Sequence, residues 1–192
     1  GLLGARGFTV SYSALSIAVL YWVIVASGRA PYVEIWAWAP WQNTVVLVVM
    51  AVVLLVLALA IGRPNPFSFG GAGNDRFDPQ RPGIVAVTRH PLLLALGLWA
   101  FAHMVPNGDL AHVITFGAFG GFAILGRRII DRRKQRTMGP AWHVLAGEVV
   151  KPMDAVGRAV NKGAMVRIVI AVVLYGLLVW AHPALFGVDP LA

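Results

Sequence analysis

Residues 44–61 read TVVLVVMAVVLLVLALAI, an unbroken apolar run after its first threonine. The charge-free segment around this run extends from residue 35 to residue 62. An α-helix needs about 20 apolar residues to cross a hydrocarbon core of about 30 Å. The run is therefore predicted to be a transmembrane helix, which makes the chain an integral membrane protein.

The composition of the whole chain agrees with this prediction. Of its 192 residues, 58% are apolar and 12% are charged, about half the charged share of about 25% that is usual in soluble domains. This excludes an ordinary soluble enzyme, a disordered chain and a nucleic-acid binder, despite the net charge of +8. The absence of cysteine excludes disulfides and thiolate metal sites.

Four other segments resemble the first one. The predicted spans are residues 8–27, 44–61, 90–105, 110–126 and 168–181. The third and fourth are separated only by Pro106-Asn107-Gly108-Asp109, which is turn chemistry and predicts a tight antiparallel hairpin. We expect one all-α domain over residues 1–192, a polytopic bundle of five transmembrane helices.

The positive charges predict the orientation of this bundle. With five spans, fifteen of the sixteen Lys and Arg residues fall on one side, in residues 1–7, 63–89 and 127–167. The positive-inside rule places this side in the cytoplasm. We therefore expect two long cytoplasmic loops, at 63–89 and 127–167, and a periplasmic C-terminus. The membrane is expected to be the inner membrane of a bacterium.

Histidines are the strongest candidates for chemistry. The topology brings His103, His112 and His182 to the outer face, and neutral imidazole is a good ligand for iron, including haem iron. His90 cannot join them, because thirteen helical residues, a rise of about 20 Å, separate it from His103. For His112 and His182, a hydrogen-bonded interfacial side chain is the simpler interpretation. For His103, a metal ligand and a hydrogen-bonded buried residue stay equally open.

A second constellation is Arg89-His90-Pro91 at the start of the third span. Proline in the first turn is a helix start signal, so a basic anchor that opens a helix explains the tripeptide structurally. The functional alternative is a site for a substrate or lipid head group, since Arg89 and His90 at a helix N-terminus would suit an anionic group.

Together these segments resemble the NnrU family of bacterial membrane proteins. The residues that carry the resemblance are Thr88-Arg89-His90-Pro91, Leu98-Trp99-Ala100-Phe101-Ala102-His103, Asn107-Gly108, Asp131-Arg132-Arg133, Gly139-Pro140-Ala141-Trp142 and the segment from Ala181 to Gly187. The same block resembles 15-cis-ζ-carotene isomerase, a relative of that family. The resemblance covers essentially the whole chain.

The resemblance implies a haem b group with His103 as its axial metal ligand, and a functional role of unclear nature for His90. It implies a redox-linked role associated with denitrification, supporting nitrite and nitric oxide reduction, or isomerase-like chemistry on an apolar substrate. Both groups normally carry an additional N-terminal span with another histidine, so we expect six helices in a complete protein. Without that span, His112 or His182 would have to supply a second ligand. The isomerase carries a further histidine late in its fourth span. The position that aligns roughly with it in this sequence is Phe122, so the chain departs from the isomerase there.

Two other functional classes stay open. No acid–base or nucleophilic set stands out, and Gly117, Gly120 and Gly121 permit close helix packing, which favours a non-enzymatic accessory or assembly subunit of a larger respiratory or photosynthetic complex. The Arg-His-Pro motif also resembles that of membrane methyltransferases, although Leu93 and Ala95 replace the tyrosine and glycine of their pattern. Membrane lipids are the expected partners in every case.

Overall fold

The computed structural model describes residues 4–150, 153 and 162–192, and this part of the chain is helical without β-strands. Its six α-helices are α1 (Gly4–Arg29), α2 (Pro40–Ala60), α3 (Pro91–Met104), α4 (Leu110–Met138), α5 (Pro140–Glu148) and α6 (Lys162–Phe186). Two short 3-10 helices, Asn74–Arg76 and Gly83–Ala86, lie in the segment between α2 and α3. The predicted all-α architecture is confirmed.

Within the described ranges, four helices are long and apolar enough to cross a membrane: Val10–Arg29 within α1, Pro40–Ala60, Leu110–Met138 and Lys162–Phe186. The remaining predicted span, at residues 90–105, corresponds to α3, an apolar helix of 14 residues. At 1.5 Å per residue it is about 21 Å long, shorter than the hydrocarbon core. A multi-pass membrane protein with four long apolar helices is therefore what the structure supports.

Proline and aspartate set the beginnings of the helices. Pro40, Pro91 and Pro140 each occupy the first turn of a helix, where the fixed φ of proline suits the helix and its missing N–H costs nothing. Asp109 caps α4 by accepting a hydrogen bond from the backbone N–H of His112. The predicted turn at 106–109 and the predicted helix start at Pro91 are both confirmed.

Small residues allow α3 and α4 to pack closely in antiparallel directions. Gly126 lies against Leu93, and Gly97 lies against Ala123. Farther along, Gly120 lies against the ring of Phe101. The residue numbers in these contact pairs increase along α3 while they decrease along α4. The two helices are therefore antiparallel and form the hairpin that the sequence predicts.

Helix α2 forms the other main contacts of the bundle. Val53 and Val56 of α2 are buried together with Ala95 of α3. On another side, Arg167 of α6 donates from Nη1 to the carbonyl oxygens of Ala58 and Ile61, both at 2.8 Å. These carbonyls are left without helical partners at the end of α2, so the arginine satisfies them.

Helix α1 is far less enclosed than the other helices. None of the residues in its apolar window is buried. A hydrogen bond of 2.7 Å between the hydroxyls of Ser27 and Thr115 joins it to α4. Most of its apolar surface is therefore free to meet lipid or another helix.

The predicted loop at 127–167 is partly wrong. The chain stays helical through the basic residues 127–138, which are the last part of α4, and then forms α5. Arginine, lysine and glutamine are good helix formers, so their charge marks the end of the apolar stretch and not the end of the helix. Residues 151, 152 and 154–161 lie outside the described part of the chain. The predicted loop at 63–89 is irregular, and its Phe67 and Val85 are buried with Trp142 of α5.

The contact between α3 and α4 generates a testable prediction. A Cβ at position 120 would lie 2.7 Å from the Phe101 ring, whereas a Cβ at position 117 would meet nothing within 4 Å. We expect Gly120→Val to lower the free energy of unfolding by about 1–3 kcal/mol through overpacking. Thermal unfolding of the purified protein in detergent measures the change.

Gly117→Val is the matched control on the same helix, and we expect it to leave the unfolding midpoint close to that of the wild type. Equal destabilisation by both substitutions would contradict the packing of Gly120 against Phe101.

Candidate functional site

Residues 33–36 and 103–112 form one end of the bundle, which we call the hairpin end. Hydrogen bonds to backbone carbonyl oxygens hold these two segments together. Ile35 donates its backbone N–H to the carbonyl oxygen of Gly108 at 2.7 Å. Trp36 donates its indole N–H to the carbonyl oxygen of Val105 at 2.8 Å. A Cβ at position 108 would collide with the backbone of Trp36, which explains why the turn carries glycine there. These contacts fix the ends of α3 and α4, where two of the candidate histidines lie.

His103 lies in the last turn of α3 among aromatic rings. Its Nδ1 lies 2.9 Å from the carbonyl oxygen of Trp99. A carbonyl oxygen only accepts hydrogen bonds, so Nδ1 carries the proton and donates it. The ring of His103 lies 5.3 Å from the ring of Trp99 and 5.8 Å from that of Phe116 on α4.

His112 lies in the first turn of α4 and faces the same phenylalanine. Its Nδ1 is 2.6 Å from Oδ2 of Asp109, the carboxylate that also caps the helix. Its ring stacks on Phe116 with 6.2 Å between centroids. Phe116 therefore contacts the rings of both His103 and His112.

His182 completes the set that the topology predicts at this end. Its Nδ1 lies 2.7 Å from the carbonyl oxygen of Val188, and its ring lies 4.8 Å from the ring of Phe186. The described contacts bring His103 and His112 to the same phenylalanine, whereas those of His182 are with Val188 and Phe186. A common site for all three histidines stays a prediction.

These three histidines share one hydrogen-bonding pattern. Each uses Nδ1 toward an oxygen acceptor, and no hydrogen bond of the described residues engages Nε2 of any of them. In the neutral ring Nε2 then carries the lone pair that binds a metal, and a carbonyl or carboxylate on the other nitrogen is what normally orients a ligating histidine. No group of three metal-binding side chains within the described ranges could hold a bare metal ion.

His90 lies at the opposite end of α3, which we call the loop end because residues 63–89 pack there. It is 2% exposed. Its Nδ1 lies 3.0 Å from the hydroxyl of Ser68, and its Nε2 lies 3.0 Å from Oδ1 of Asp131 on α4. Both ring nitrogens of His90 are occupied by protein partners, unlike those at the hairpin end.

Arg89 binds the same carboxylate as His90. Its guanidinium forms hydrogen bonds of 3.1 and 3.4 Å with the two oxygens of Asp131. The guanidinium also lies over the ring of Trp142, 5.3 Å from its centroid, at the distance of a cation–π contact. The side chain of Asn65 donates to the Arg89 carbonyl oxygen at 2.9 Å. The head-group site predicted at Arg89 and His90 stays a prediction, but both side chains already bind an anion of the chain itself.

Sequence reasoning did not connect Asp131 and Ser68 with His90. The signal for Asp131 was present, because it is the single acidic residue in the basic run 127–136. An acid at such a place is expected to have a specific cationic or hydrogen-bonding partner. The signal for Ser68 was absent, since a serine in an irregular segment has no distinguishing pattern.

Burial decides the protonation of His90. Desolvation lowers the pKa of His90 below its ordinary value, and this outweighs the opposing attraction of Asp131. The neutral ring carries its proton on Nε2, because a carboxylate only accepts. Nδ1 then accepts from the Ser68 hydroxyl. A ring that is favoured neutral in the folded state stabilises the protein above the unfolded pKa and loses this contribution as the pH falls through the folded pKa.

The sign of this shift gives a prediction for His90→Leu. We expect the variant to unfold more easily by about 1–3 kcal/mol near neutral pH, because Ser68 and Asp131 lose a buried partner. Acidification from about pH 7.5 to about pH 5.5, across the ordinary imidazole pKa of about 6.5, should lower the unfolding midpoint of the wild type more than that of the variant.

Thermal unfolding in detergent at the two pH values tests this prediction. His143→Leu is the control, because the side chain of His143 is exposed, and it should retain the wild-type response to pH. A pH response of His90→Leu equal to that of the wild type would contradict the assignment.

A comparison with known proteins agrees with the motifs in these sites. The family model described as NnrU protein matches residues 1–190, essentially the whole chain. No match was found among curated proteins or among solved structures. The matched residues include the histidines of both ends and the carboxylate that joins Arg89 to His90. The chain therefore belongs to the NnrU family.

Proposed function

We propose that this protein is a haem b-binding, redox-linked membrane protein, with His103 as an axial ligand at the hairpin end. The observation that carries the proposal is the orientation of His103. Its Nδ1–H is donated to Trp99, so Nε2 is left as the basic nitrogen. Haem iron in proteins is commonly held by a histidine of this kind.

The surroundings of His103 fit such a group. Trp99 and Phe116 contact its ring and each other, and an apolar shell excludes water and raises the influence of nearby dipoles on a bound metal. His112 is the candidate for a second ligand from this chain, since Asp109 holds its ring by Nδ1. Asp109 would make His112 a stronger donor than a carbonyl partner would.

A bound haem would supply a one-electron redox centre in this part of the bundle. The residues of the chain would orient the group through His103 and keep it dry through the aromatic rings. A role in nitrite and nitric oxide reduction, or isomerase-like chemistry on an apolar substrate, is the activity we propose for the site, in line with the family resemblance.

We also propose that α3 is a fifth, short span. It packs between α2 and α4, so neighbouring helices and a locally thinned bilayer would compensate for its length. Residues 63–89 and the basic end of α4 would then face the cytoplasm of a bacterium, and the hairpin end and the C-terminus would face the periplasm.

A second candidate function is that of an accessory subunit in a larger membrane complex. The observation that favours it is α1, whose apolar window has no buried residue. Its exposed side chains include Leu15, Ile17 and Trp22, which would suit a partner helix as well as lipid. Solubilisation in a mild detergent distinguishes the two candidates, because a protein that always migrates alone with stoichiometric haem would contradict the subunit role.

The haem proposal predicts the absorption spectrum of the purified protein. Protein from haem-replete cells should show a Soret band, and His103→Ala should reduce the haem content strongly because an axial bond is lost. His112→Ala should reduce it or shift the band if His112 supplies the second ligand. The haem content per polypeptide, measured as the pyridine haemochrome, is the readout.

His143→Ala is the matched control, since His143 is an exposed histidine on α5 at the loop end. It should leave the haem content unchanged. A colourless, metal-free wild-type preparation, or a spectrum that His103→Ala does not affect, would overturn the proposal.

A further inference from the structure

A cavity lies at the loop end, between the last turn of α2 and the irregular segment 63–89. Its volume is about 340 Å³, at the lower end of the range of about 300–1,000 Å³ that is usual for small-ligand sites. It belongs neither to the histidines of the hairpin end nor to the His90 contacts with Ser68 and Asp131. The side chains used in the following argument are Leu59, Arg63, Arg76, Asp78, Arg81 and Ile84.

The lining of the cavity is rich in arginine. Arg63, Arg76 and Arg81 all line it, and Asp78 is the single acid among the lining residues. The Asp78 carboxylate accepts a hydrogen bond from the backbone N–H of Gln80 at 2.8 Å. Within the described ranges, no hydrogen bond or ion pair engages the guanidinium of any of the three arginines. Three uncompensated guanidiniums around one concavity favour an anionic ligand.

These arginines differ from Arg89, which lies at the same end of the molecule. The Arg89 guanidinium is neutralised by Asp131 and covered on one face by Trp142. Among the described residues, none accepts a hydrogen bond from the guanidinium groups of the three cavity arginines. Guanidinium groups match the geometry of phosphate oxygens and bind them with paired hydrogen bonds. Phosphate is therefore the anionic group that these guanidinium donors suit best.

Apolar residues line the same cavity. Leu59 and Ala60 belong to the last turn of α2, whose 21 residues form one of the four long apolar helices of the described ranges. Ile84 and Val85 of the second 3-10 helix also line it. A ligand that fills the cavity thus meets both arginines and the end of a long apolar helix.

We propose that this cavity binds the phosphate head group of an anionic phospholipid. The arginines would bind the phosphate, and the acyl chains would lie in the hydrocarbon region beside α2, whose last turn lines the cavity. Basic pockets at the membrane ends of helices recognise anionic lipids in this way. A water-soluble phosphate ester could use the same arginines but would leave Leu59 and Ile84 without an apolar partner. The site is independent of the haem proposal.

Native mass spectrometry of the purified, detergent-solubilised protein tests the proposal by titration with phosphatidylglycerol. The test variant carries Arg63→Gln, Arg76→Gln and Arg81→Gln together. Each cation near an anionic lipid is worth roughly a fivefold change in affinity, so the triple variant should bind about 100-fold more weakly than the wild type. The wild type should also prefer phosphatidylglycerol to phosphatidylcholine.

The matched control removes three positive charges elsewhere, by Arg128→Gln, Arg132→Gln and Arg133→Gln on the exposed part of α4. It should change the affinity by less than the roughly fivefold effect of one cation at the site. Equal weakening by both triple variants would show a general charge effect and overturn the proposal. Glycerol 1-phosphate that competes as tightly as the lipid would assign the cavity to a soluble phosphate ester and overturn it as well.

Circular dichroism and size-exclusion chromatography establish that each variant is folded. If the triple variant does not fold, the single variants Arg63→Gln, Arg76→Gln and Arg81→Gln provide the same comparison, each with an expected loss of about fivefold. Three single variants that all bind as tightly as the wild type would overturn the proposal.

Discussion

The buried ring of His90 joins three parts of the chain that are far apart in sequence. It precedes α3, accepts from Ser68 in the irregular segment and donates to Asp131 on α4. Because α3 begins at the next residue, these two hydrogen bonds fix where α3 starts relative to α4. The small residues along the helix pair then keep that register up to the hairpin end. The neighbourhood of His103, Trp99 and Phe116 depends on it, since a displacement of one turn would separate their rings.

The sequence was sufficient to locate the apolar helices, because apolar composition and proline starts are local properties. The turn at 106–109 was predictable for the same reason. The end of α4 and the helix α5 were not, because charge reports the edge of the apolar stretch while helix propensity continues through residues 127–138. Topology placed His103 and His112 at one end of the bundle, and the family resemblance then singled out His103. The nitrogen that each leaves free was not predictable, since it depends on an acceptor that only the folded chain places beside Nδ1.

The histidines at the two ends of α3 use their ring nitrogens in opposite ways. At the loop end, Arg89 neutralises Asp131, and both ring nitrogens of the neutral His90 are hydrogen-bonded within the protein. At the hairpin end, each histidine is held by one nitrogen and keeps the other. Fully satisfied groups add rigidity, while a group with a spare lone pair is oriented but still able to bind. A precise binding site requires ligating side chains that are held in place by a rigid supporting structure.

Helix α4 is one unbroken helix of 29 residues, about 43 Å long. It carries Phe116 near one end and Asp131 near the other, about 22 Å apart along the axis. Such a rod cannot rotate at one end alone. The height of Phe116 beside His103 is therefore tied through one continuous backbone to the position of Asp131 beside His90. The axial spacing between the aromatic contacts and the carboxylate is a fixed property of this helix.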